Sequence, residues 1–238
     1  MLKYLNLLFF AIVLVMNYLA NALPLNNKTT GELSDSLPNL FVPAGLTFSI
    51  WGIIYLLIAV YCVIQFMSAS AEVNQKIGWF FVISCAFNAL WILAWHYQKL
   101  PLSLFIMTGL LVTLIYLNLQ IRDIPMGWIK AAFGIYLGWI CIATIANVTA
   151  LLVNYHWSGF GMSEQAWTVI MIAAGVLIVS LTLLRMQNPF IGLSVVWAFL
   201  GIYLKRQGDY RSIAIFAIAA MVIVAAVTVY GFLGKKVA

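Results

Sequence analysis

Three sets of side chains in this chain are spaced to share helix faces, and each mixes aromatic rings with neutral hydrogen-bonding groups. Phe48, Trp51 and Tyr55 follow at intervals of three and four, which brings three rings to one side of a helix. Asn88, Trp91 and Trp95 put an amide and two indoles on one face of another. Tyr136, Trp139, Ala143 and Asn147 repeat the device in steps of three, four and four. Rings stack on flat molecules and amides supply directed hydrogen bonds, so such faces suit an apolar or flat amphipathic ligand. Each stripe alone reads equally well as helix packing. An amide in hydrocarbon costs several kcal/mol unless it is hydrogen-bonded, so Asn88 must face a cavity or another helix.

Other chemistries lack their residues. The six acidic residues, Glu32, Asp35, Glu72, Asp123, Glu164 and Asp209, fall in expected loops or at span ends, and no Lys or Arg falls in mid-span. Ion- and proton-coupled carriers depend on such intramembrane charges, so that class is disfavoured. There is no P-loop, no HExxH and no Ser-His-Asp set, and the chain has two His residues. His96 reads as a boundary residue rather than a haem ligand. Cys62, Cys85 and Cys141 form no CxxC and read as small apolar residues, with neither a disulfide nor a metal site expected. The basic residues are scattered without a stripe, which excludes nucleic acid as a partner.

The elements that must position these stripes are membrane helices. Over 238 residues the chain is 65% hydrophobic and 8% charged, with net charge +6 and mean hydropathy +1.07; a soluble domain carries about 25% charged residues. Against the rule of roughly 20 apolar residues per span, eight segments qualify: Tyr4 to Leu23, Ala44 to Ser68, Ile77 to His96, Pro101 to Ile121, Ala131 to Tyr155, Gln165 to Leu184, Pro189 to Leu204 and Ser212 to Leu233. The seventh is the short one. The first reads as a retained helix, with a cleaved signal peptide as the alternative. Pro43 is placed to start the second helix, because proline at a first turn loses no hydrogen bond. The polar stretch Leu25 to Val42 is either a lid or a solvated connector. The basic residues read as interfacial charge, seven on the side of the termini (Lys3, Lys76, Arg122, Lys130, Arg185, Lys235, Lys236) against five opposite (Lys28, Lys99, Lys205, Arg206, Arg211), a small excess that favours both termini in the cytoplasm. Gly134 and Gly138 form a GxxxG, a close-packing signal.

Taken in order, the stripes resemble the translocator protein / tryptophan-rich sensory protein (TspO/MBR) family. The resemblance rests on Pro43, Gly45, Phe48, Trp51 and Tyr55; on Asn88, Ala89, Leu90 and Trp91; and on Tyr136, Leu137, Trp139, Ala143, Thr144 and Asn147. It covers roughly Tyr4 to Tyr155 and implies an all-α integral membrane fold with a five-helix bundle over residues 1–155; the uncharged segments add about three transmembrane helices over 156–238, without counterpart in the five-helix proteins. It also implies a pocket beneath the first loop for a porphyrin-, haem- or sterol-like molecule, with no cofactor required. By residue-wise carry-over Trp51, Asn88 and Trp139 line that pocket, Asn88 as the hydrogen-bonding group. Phe48, Tyr55, Trp91, Tyr136, Ala143 and Asn147 complete the expected binding set. The implied role is a receptor or sensor, with a carrier or a purely structural protein as alternatives. Expected partners are membrane lipid, a hydrophobic small molecule and a second copy of the chain, in a bacterial inner membrane. The chain departs from the family pattern at Ile135, where a proline is usual, at Leu46, where a tryptophan is common, and in a first loop without tryptophan. Those lid tryptophans are implicated in the family's porphyrin degradation, so enzymatic activity is not expected.

Overall fold

A computed structural model describes residues 1–23 and 25–234; Lys235 and Lys236, counted in the charge bias above, lie outside the described residues. Ten α-helices follow one another: α1 (Leu2–Asn21), α2 (Thr30–Asp35), α3 (Ile50–Ile64), α4 (Ala71–Ile77), α5 (Phe80–His96), α6 (Leu100–Gln120), α7 (Trp128–Asn154), α8 (Glu164–Met186), α9 (Phe190–Arg206) and α10 (Arg211–Leu233). All but α2 and α4 correspond to the eight uncharged segments, and successive long helices alternate in direction. At one end Asn26 donates to the His96 carbonyl and Asn39 to Thr149. At the other Asn6 donates to Gln65, and the buried Lys130 ammonium donates to the carbonyls of Arg122 and Gln187.

Local signals explain the helix ends. Pro101 sits in the first turn of α6, and the Ser163 hydroxyl accepts from Ala166 N–H to cap α8. In α2 the Thr29 hydroxyl and the Glu32 carboxylate exchange bonds in a capping box. Gly78 adopts a positive φ of 49°, and α4 and α5 meet there at a 49° bend.

Six helices are long and apolar enough to cross a membrane, and α4 with α5 makes a seventh if the bent pair is one span. The expected seventh span differs from the rest. At 17 residues α9 is about 25 Å long, short of the roughly 30 Å hydrocarbon core; one face packs on α7, α8 and α10, and Leu193 and Leu204 are exposed on the other. Its Ile191, Val195, Ala198, Phe199 and Ile202 are fully buried. The α7–α9 contact is a close one. A Cβ on Gly138 would stand 2.0 Å from the Ile191 carbonyl oxygen, and one on Gly134 2.7 Å from the Asn188 amide. The GxxxG is therefore the seat of α9.

Two expectations need correction. The second helix does not run unbroken from Pro43 to Ser68: residues Gly45–Ser49 form a 3₁₀ turn and α3 ends at Ile64. Ala44 N–H is taken by the Gly201 carbonyl of α9, which holds the entry in a tighter turn. Lys130 and Arg206, read as interfacial charges, are both buried. Each finds backbone carbonyls as acceptors, which offsets the loss of water.

Candidate functional site

The three stripes converge. Trp51 stacks on Tyr55 at 5.4 Å between ring centroids and meets Trp139 edge-on at 6.2 Å. Phe48 also meets Trp139 edge-on, at 5.9 Å. From α5, Trp91 and Trp95 stack at 5.8 Å. Phe48, Trp51, Trp91, Trp95 and Trp139 surround a cavity of about 40 Å³, whose wall is completed by Ile142, Ala143, Ala146, Asn147 and Ala150 of α7. Thr30, Ser34, Leu37, Val42 and Pro43 of the first loop form its roof. No charged side chain lines it among the described residues.

The expected binding set divides. Phe48, Trp51, Trp91, Trp139, Ala143 and Asn147 line the cavity. Tyr55, Asn88 and Tyr136 do not, because each lies one helical turn further from the lid than Trp51, Trp91 and Trp139 respectively. There the Asn88 amide donates to the Tyr136 hydroxyl at 2.8 Å, and Asn17 of α1 reaches the Asn88 carbonyl oxygen at 3.5 Å. Asn88 is thus a buried interhelical tie that forms the floor beneath the cavity. Asn147 ties helices too: its side-chain oxygen accepts from the Trp91 indole at 3.3 Å and from Ser103 of α6 at 3.1 Å. Its amide donates once, to the Ala143 carbonyl. One amide hydrogen of Asn147 therefore stays available on the lining.

Trp95 and the roof residues are absent from the expected set. Trp95 was legible in part, since it stands seven residues from Asn88 on the same face, and its buried indole N–H has no acceptor. With the second amide hydrogen of Asn147, it is an unused donor on the lining. The roof carries no periodic signal, because its residues come from a loop and the six-residue α2. His96, expected at the boundary, is buried, with Nδ1 at 2.8 Å from the Ile92 carbonyl oxygen.

The roof is held from the side by α9. Arg206 donates to the carbonyls of Leu40 and Asn39, each at 3.0 Å, while Asp209 meets the same guanidinium. Lys205 pairs with Asp35 of α2. The Trp197 indole donates to the Thr47 carbonyl at 2.9 Å. From α7, Thr149 accepts from Asn39 at 2.7 Å, and Asn39 in turn accepts from Phe41 N–H. At the outer edge of the roof, the Thr29 backbone N–H and hydroxyl hold the Glu32 carboxyl below its ordinary value, so the capping box is formed with an ionised Glu32.

Small-molecule sites enclose roughly 300–1,000 Å³, and the cavity of about 40 Å³ is far smaller. The side chains fill most of the space beneath the first loop. A family described as TSPO-like protein matches residues 3–230, which includes α8 to α10 as well as the three stripes. No curated protein and no solved structure matches the chain.

Proposed function

Since the chain belongs to the TSPO-like family, we propose that it is a membrane receptor for a flat hydrophobic molecule of porphyrin, haem or sterol type. The observation that supports this reading is the uncharged chamber of Phe48, Trp51, Trp91, Trp95 and Trp139 under a closable loop. The indoles supply stacking walls, and the Trp95 N–H with the second amide hydrogen of Asn147 supplies donors for a carbonyl or carboxylate oxygen. The closed chamber cannot hold such a molecule, so binding requires the first loop to lift away from α9 and α7. The affinity that is measured then includes the cost of that opening.

The floor favours a receptor over a carrier. Asn17, Asn88 and Tyr136 bond across α1, α5 and α7 directly below the rings, and a carrier would have to break that layer in every cycle.

Titration of the purified full-length protein with protoporphyrin IX, followed by tryptophan quenching, tests the reading. We expect saturable quenching, with affinity about tenfold weaker in Trp51→Leu and weaker also in Trp95→Phe, which removes only the N–H donor and part of the ring. Unchanged affinity in both variants rejects the chamber. Flux of the bound porphyrin across proteoliposomes would replace the receptor with a carrier.

A further inference from the structure

The same end of the bundle holds a second and larger space. It encloses about 550 Å³ between the last turn of α7, the first turns of α8 and residues Leu37 to Leu40 of the first loop. That volume lies within the range of small-molecule sites without any rearrangement. Leu37 lines both spaces and separates them, together with the Asn39–Thr149 hydrogen bond. The outer chamber owes half of its lining residues to the α7–α8 connection and α8, and it uses none of the three stripes.

Its chemistry differs from that of the inner chamber. Trp157 and Trp167 meet edge to face with centroids 4.6 Å apart, and Phe160 approaches Trp157 at 5.1 Å. His156 and Phe160, on either side of Trp157, hold φ of 51° and 55°, a left-handed conformation that few non-glycine residues adopt. Among the described residues Glu164 is the one acidic or basic side chain on the lining apart from the imidazole of His156, and no Lys or Arg lines the chamber. The N-terminus of α8 is already capped by Ser163. Carboxylate and indoles therefore set its preference.

We propose that the outer chamber binds an amphipathic organic cation. The cationic centre sits between the Glu164 carboxylate and the indole of Trp157 or Trp167, and the apolar body lies against Leu37, Leu40 and Met162. An indole attracts a cation through its quadrupole, and most strongly where water is thinned. An anion of the same shape meets the carboxylate and finds neither Lys nor Arg to pair with, the His156 imidazole being the one basic group on the lining among the described residues. The inference stands apart from the porphyrin reading, since it needs neither the inner rings nor an opening of the lid. If the two indoles serve only to anchor the protein at the bilayer interface, the chamber will show no saturable site.

Equilibrium dialysis of the full-length protein in nanodiscs, corrected with empty nanodiscs, measures binding of tetraphenylphosphonium beside its isosteric anion tetraphenylborate. The expected result is one saturable phosphonium site and none for the borate. Affinity should fall about fivefold in Glu164→Gln and in Trp157→Leu, and should hold in Trp51→Leu. Equal retention of both ions overturns the proposal. So does undiminished phosphonium binding in Glu164→Gln, an exposed position whose change leaves the fold intact; that variant decides alone if Trp157→Leu fails to fold. Loss of binding in Trp51→Leu would move the site to the inner chamber and overturn it too.

Discussion

Asn88 and Trp51 differ in depth by about one helical turn, and that distance separates a structural residue from a lining residue. Asn88 is 1% exposed and bonded to Tyr136, so Asn88→Ala leaves a buried phenol without its partner. Such an orphan costs about 1–3 kcal/mol. The expected outcome is a lowered melting temperature with porphyrin affinity little changed in the fraction that remains folded; a large affinity loss at unchanged melting temperature would return Asn88 to the lining. Trp51→Leu should behave in the opposite way, since Trp51 is half-buried and its ring faces the cavity. The spacing of Asn88 with Trp91 and Trp95 was sufficient to put the three on one face. It was silent on depth, because residues one turn apart on a face can belong to different layers.

At the scale of elements, α9 acts as the fastening of the first loop. Arg206 spans the carbonyls of Asn39 and Leu40, Lys205 holds Asp35, and the Gly201 carbonyl accepts from Ala44. Arg206→Gln removes the guanidinium and releases two loop carbonyls. Hydrogen–deuterium exchange over residues 29–42 should accelerate, because local opening becomes easier. Porphyrin should bind faster and more tightly by severalfold, since a larger open fraction lowers the apparent Kd in proportion. Exchange mass spectrometry and stopped-flow quenching check the two limbs; faster exchange with weaker binding would mean that the loop contributes contacts rather than a barrier. None of this was legible in Lys205 and Arg206, which as a pair of charges at a helix end read like any interfacial anchor. Their partners stand about 170 residues earlier in the chain.

For the molecule as a whole, the last three helices and the first seven share one core. Gly138 lets the α9 backbone approach α7, and Gly201 lets Pro43 and Thr47 approach α9. Gly138→Val would push its branched side chain into the Ile191 carbonyl, and overpacking of this kind costs about 1–3 kcal/mol. Because α9 also fastens the lid, the same change should raise exchange over residues 29–42, far from the substitution. Gly52→Ala, where a Cβ meets nothing within 4 Å, should alter neither the melting temperature nor the exchange. A Gly138→Val protein with a normal lid would separate helix packing from loop closure.

The eight apolar helices and the ring faces were determined by the sequence itself, because they follow from local properties: uncharged runs of sufficient length, and side chains recurring at the helical period; the short α2 and α4 were not. Tertiary structure alone decided which apolar face is inside. Lipid and protein core are equally apolar, so hydropathy does not tell the buried face of α9, with Ile191, Val195, Ala198, Phe199 and Ile202, from its exposed Leu193 and Leu204. It also decided that the stripes close to a cavity of about 40 Å³ and that a loop with little periodic pattern forms its roof. Both depend on contacts between residues distant in the chain, which spacing along one helix does not encode.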